Sequence, residues 1–165
     1  MRKAPLSDDP KYLLGAAHDD QLALCATLES IADSLPDKVD RPGCMKAARA
    51  VGPLFARVHA LEEDIVFPAV TARWQNFADI AATVDRLKHE HLEDSCFAEE
   101  LHDALMAYGR GENSPNPEAL GYMLRGFFES LRRHIAFERE VIVPLFAMAE
   151  AAASPSAPRA APDRE

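Results

Sequence analysis

The chain has 165 residues, with 18 basic and 27 acidic side chains and a formal charge of -9. That sign argues against a bare nucleic-acid or anionic-membrane binder, and no apolar run is long enough to suggest a membrane span. Hydrophobic residues make up 48% but aromatic ones only 7%, with Ala and Leu dominant, which favours one helical domain over a sheet.

The opening MRKAPLSDDP has a short basic start with no apolar run behind it, so residues 1–9 read as a flexible N-terminus rather than a signal peptide. Asp9-Pro10 has the form of an N-cap followed by a proline in the first turn. The first helix is expected to run to about Leu35, with Leu14, His18, Leu22, Cys25, Leu28 and Ala32 along its inner stripe. Pro36 to Gly43 reads as a loop.

A second helix fits residues 44–75, with Phe55, His59, Glu63 and Val66 on one face and Pro68 bending or ending its regular part. Asn76 is the expected cap of a third helix carrying Ile80, Val84, Leu87, His91, Ala98, Leu101, Leu105 and Tyr108. Gly109 to Asn113 breaks that pattern. Asn116-Pro117 then opens a fourth helix with Leu120, Leu124, Phe127, Leu131, His134, Glu138, Val141 and Leu145 in step, and Pro144 bends it near its end. Residues 151–165, rich in Ala and Pro, read as a disordered tail after a bundle over 10–150. Short connections make neighbouring helices antiparallel, so the expected fold is all-α: an up-down-up-down four-helix bundle.

Four of the six histidines fall into a pattern that occurs twice. His18 is followed by His59 and Glu63, and His91 by His134 and Glu138. In each half a single imidazole precedes a His–Glu pair four apart, which in a helix shares a face. One such pair read alone is a solvent-facing contact worth roughly 0.2–0.5 kcal/mol. Two of them, each inside an apolar stripe, point instead to metal ligands, because a carboxylate on a buried face needs a cation. The nitrogen and oxygen donors suit iron, manganese or zinc, and the lack of paired cysteines disfavours a zinc–thiolate site. Glu62 is expected to face solvent, His89 to point away from His91, and His102 to sit too far along the helix to join the cluster. The three cysteines, Cys25, Cys44 and Cys96, form no CxxC motif and read as reduced thiols of a cytoplasmic protein, with Cys44 the best candidate for a redox-responsive one.

With those residues in view, the chain resembles the haemerythrin-like proteins, the HHE cation-binding domain family, over about residues 10–150. The resemblance rests on His18, on HALEEDIVFP at 59–68, on Glu90-His91 and on HIAFEREVIVPL at 134–145. It implies a four-helix bundle with a non-haem di-iron centre, Glu63 and Glu138 bridging, and His18, His59, His91 and His134 as terminal ligands. It further implies binding or sensing of dioxygen, nitric oxide or iron, with peroxide another small ligand. The alternatives are a metal-dependent regulatory or interaction module with a protein partner or second copy, an iron–sulfur repair protein, and a metal-free structural bundle. Two departures stand out. The best-known members use five histidines, leaving a water, Glu62 or another carboxylate to fill the gap. The first motif is also one residue shorter between its histidine and its proline than the second.

Overall fold

A computed structural model of the chain describes residues 9–112 and 115–153. Five α-helices follow one another: α1 (Pro10–Ser34), α2 (Arg41–Leu61), α3 (Phe67–Arg73), α4 (Ala78–Arg110) and α5 (Pro117–Ala153). Between α2 and α3 lies a π-helical turn, Glu62–Val66, so these three segments form one rod. The result is an all-α four-helix bundle, up-down-up-down. α1 packs on α2 and α5, and α4 also packs on both α2 and α5. Among the described residues no helix is long and apolar enough to cross a membrane.

Local chemistry accounts for the helix ends. The Asp9 carboxylate accepts from the Lys11 amide, and Pro10 takes a first-turn position where a missing N–H costs nothing. Asn116 plays the same part for α5, accepting from the Ala119 amide at 2.8 Å. α4 ends at Gly111, whose φ of 84° lies in the left-handed region, with bonds from Gly111 to the Tyr108 carbonyl and from Glu112 to the Ala107 carbonyl. That pairing satisfies two carbonyls that would otherwise be orphaned, and glycine adopts the angle without a Cβ penalty. Gly109 serves packing instead. A Cβ there would lie 2.5 Å from Met45 Cγ and 3.0 Å from the Arg41 carbonyl, so its absence lets α4 close on α2.

Several boundaries differ from the sequence reading. α2 starts at Arg41, three residues before the expected 44, because Pro42 fits the first turn of a helix rather than a loop. Phe77 caps α4 without a side-chain bond, and Asn76 lies in the preceding turn. Pro68 does not end the second rod. The irregularity falls upstream of it, where the Phe67 amide reaches back five residues to the Glu62 carbonyl. A proline at 68 has no N–H for the carbonyl four residues before it, and a wider turn accommodates that loss. α5 runs through Pro144 and on to Ala153, inside the stretch expected as tail. Residues 1–8 and 154–165, where the flexible N-terminus and the rest of the tail were expected, lie outside the described residues.

The core is in two parts. A larger cluster includes Leu28, Val51, Phe55, Leu101, Leu124, Phe127 and Leu131, and a smaller one Leu14, Val66, Phe67, Leu87, Ile142 and Phe146. The buried polar side chains, His18, Gln21, Glu62, His91, His134 and Glu138, come between them in the chain order of the four rods. Cys25 and Cys44 are buried, and burial pushes the Cys25 thiol up to about 11 and raises that of Cys44. Cys44 is therefore a poor thiolate, contrary to its expected redox role, and Cys96 is the exposed cysteine.

Replacing Asn116 with Ala removes the α5 cap. The expected loss is about 1 kcal/mol, read as a lowered thermal midpoint with unchanged helical content in the folded baseline.

Candidate metal centre

The helical period brings the polar residues to one level. On α1, His18 lies one turn beyond Leu14 and one turn before Gln21, all facing inward. α2 delivers His59, the π turn delivers Glu62 and Glu63, α4 delivers Glu90, His91, Asp94 and Ser95, and α5 delivers His134 and Glu138.

Two groups of donor atoms converge among the described residues. Glu62, His91 and His134 form one, and His18, Glu62 and Glu138 the other, with the ligand atoms of each group within 4.8 Å of one another. Glu62 belongs to both. His18 Nε2 is 2.8 Å from Glu138 Oε2, and Glu138 Oε1 is 3.7 Å from His134 Nε2. His91 Nε2 is 2.9 Å from Glu62 Oε2, yet the two are not aligned to share a hydrogen bond.

Of the six side chains singled out in the sequence, His18, His91, His134 and Glu138 enter these groups. The other two stand beside them. His59 stacks on His91 with ring centroids 4.0 Å apart and planes 7° from parallel, and its Nδ1 lies 3.4 Å from the Ser95 hydroxyl. Glu63 is 39% exposed at the rim, where its Oε1 accepts from His91 Nδ1 at 2.8 Å. The inward carboxylate is Glu62, 1% exposed, which the sequence reading had sent to solvent. Glu62 and Glu63, three and four residues after His59, flank the same helix face, and it is Glu62, where the π turn begins, that points in. The short spacing to Pro68 was the available signal.

Other contributors were not singled out as ligands. Gln21 is buried with its Oε1 unpartnered. Glu90 accepts from His134 Nδ1 at 3.2 Å. Asp94 is partly buried near His134 and His91, and burial raises its carboxyl above the usual range. His89 points outward toward Glu93, as expected, and His102 bonds the Ala48 carbonyl well away from the cluster.

The electrostatics are those of charge held away from water. Burial lifts Glu62, and burial together with neighbouring His91 and His134 pushes His59 down to about 3. Burial also opposes charge on His134 and Glu138, but their mutual contact outweighs it, carrying His134 up to about 9 and Glu138 down to about 2. His91 is raised as well, since the Glu62 and Glu63 carboxylates outweigh its burial. Even so, His18 Nδ1, both Glu62 oxygens, His91 Nε2 and Glu138 Oε1 are buried without a hydrogen-bond partner. Buried polar atoms are normally satisfied, so this concentration of lone pairs fits a cation with nitrogen and oxygen ligands.

A family model described as the Hemerythrin HHE cation binding domain matches residues 9–146. No curated protein and no solved structure matches the chain.

In metal-free protein, held so by a chelator, the contribution of His59 to stability should fall as pH drops from 6.5 to 4.5. There an unfolded chain protonates His59 while the folded one, with this group at about 3, does not. His134, raised to about 9, and His91, also raised, slope the other way at the upper end of that window, where their unfolded counterparts still titrate, and add nothing toward 4.5. Glu62, raised by burial, slopes the other way. The contribution of His59 is therefore read as a difference: the acid limb of the denaturation midpoint should be shallower in His59→Gln than in the parent chain.

Proposed function

The chain belongs to the hemerythrin HHE cation-binding domain family, and on that premise we propose that it is a non-haem di-iron protein that binds or senses dioxygen or nitric oxide. The observation that carries this reading is the pair of donor groups sharing Glu62, with buried unpartnered atoms on His18, Glu62, His91 and Glu138. Five side chains would hold the metal: His18, Glu62, His91, His134 and Glu138. Glu62, common to both groups, would take the part that the resemblance implies for Glu63, and Glu138 would be the second shared carboxylate. Zinc and manganese suit the same donors less selectively.

Bound iron would supply reversible electron exchange with a diatomic ligand. The chain supplies the surroundings. Phe55 packs edge to face with His59 and at a tilt against Phe127 on one side of the layer, and Phe67 stacks near His91 on the other. This apolar wall keeps bulk water from the ligands and slows uncontrolled oxidation. A cleft of about 330 Å³ between α4 and α5, lined by Arg86, Glu90, Asp94, Arg133 and His134, reaches the centre from solvent. It suits a small ligand and its accompanying protons rather than a bulky substrate. Five protein side chains shared between two ions would leave room for a small ligand.

Protein purified and reconstituted without oxygen should carry two irons per chain and change its visible spectrum on admission of air or nitric oxide. His134→Ala and Glu138→Ala should lower the iron content and remove the stabilisation that ferrous ion confers on thermal unfolding, because metal bound only by the folded state is linked to folding. A chain that takes up no metal, or whose melting is blind to it, refutes the reading.

A further inference from the structure

The two donor groups are built differently. In the group of Glu62, His91 and His134, both imidazoles present Nε2 inward while Nδ1 is held from behind. His91 Nδ1 donates to Glu63 at 2.8 Å, and His134 Nδ1 donates to Glu90 at 3.2 Å. A carboxylate behind an imidazole fixes the tautomer that leaves the other nitrogen free, fixes the ring's orientation and makes it a stronger donor. In the group of His18, Glu62 and Glu138 there is a single imidazole. Its Nδ1 is fully buried and has no partner. No carboxylate holds this ring from behind, and its one polar contact is Nε2 with Glu138 Oε2 on the inward side. The additional carboxylate of this group does not redress the balance, because Glu138 divides its oxygens, Oε2 toward His18 and Oε1 toward His134.

Resting on the reading of this layer as a metal centre, we infer that the two ion positions are unequal. The Glu62–His91–His134 position fills first and holds its ion, the His18–Glu62–Glu138 position holds a weaker, exchangeable one, and Glu63 and Glu90 are the positioning residues that create the difference. The ligand class is a divalent transition-metal cation. Over a range of free metal the chain then exists as a one-ion form, and the two-ion form appears only when metal is abundant. The weaker position reports on metal supply, while the tighter one keeps the layer neutralised and the bundle folded.

The test is an anaerobic titration of metal-free, full-length protein with ferrous ion, read by competition against a chromophoric chelator. The wild type should bind two ions in two steps separated by on the order of tenfold or more in affinity. His18→Ala, or His18→Gln should that variant not fold, should keep the tight step and lose the weak one. The Glu63→Ala/Glu90→Ala double variant should weaken the tight step by about 10–100-fold. Glu63→Gln/Glu90→Gln, which retains an acceptor behind each ring, should recover part of that loss. Both glutamates reach solvent at the rim, so the double variants leave the core intact. Two equal steps in the wild type overturn the inequality, and so does loss of the tight step in both His18 variants. A tight step unmoved in Glu63→Ala/Glu90→Ala removes the positioning role. No uptake by the wild type is the separate outcome that overturns the metal reading itself, and this inference with it.

Discussion

The fold is organised around one electrostatic constraint: two carboxylates and several imidazoles are held in an interior largely closed to water. Removing a single partner from a buried charged pair costs about 3–5 kcal/mol, since the remaining charge is left uncompensated. Glu138 is compensated by His134 and His18, and each of these stays where it is because its helix is packed above and below by apolar residues. Glu62 is less well served, with both oxygens unpartnered and its carboxyl raised by burial. The layer is thus more polar than its own hydrogen bonds can satisfy. That excess is the physical reason to associate it with cations, and it is independent of family resemblance.

The scaffold meets this constraint through local devices at the helix ends and at one close crossing. Caps at Asp9 and Asn116 fix where α1 and α5 begin, and so fix the level at which His18 and His134 arrive. The missing side chain of Gly109 lets α4 lie close to α2, which sets the register between His91 and the His59–Glu62 turn. At the surface, ion pairs such as Arg132 with Glu29 and, level with the polar layer, Arg139 with Asp19 join α1 to α5. Exposed pairs of this kind contribute little to stability and serve more as orientation than as support.

The four rods and most of the centre were legible in the sequence because both depend on a regular period. Apolar stripes gave the rods, and imidazoles inside those stripes gave His18, His91, His134 and Glu138 their inward places. What escaped were features where the period fails or where no motif exists. Positions three and four after a residue share its helix face, so an i,i+4 count reached Glu63 at the rim instead of Glu62, within, where the π turn begins. Asn76 has the chemistry of a cap, but the helix starts after Phe77. Glu90 and Asp94 act at the layer through cross-helix proximity, and no spacing along a single chain assigns them that part.

The same turn leaves the second rod with two rotational phases. A residue inserted into an α-helix advances everything after it by about 100°, and the wide turn at Glu62–Val66 absorbs an advance of that kind without breaking the rod. Side chains before it, Val51 and Phe55, are aligned to the larger apolar cluster. Those after it, Phe67 and Val70, are aligned to the smaller one. The two halves of the interior are therefore geared to each other through five residues, and a single-codon deletion there would turn Phe67 and Val70 out of their cluster while leaving every upstream contact in place.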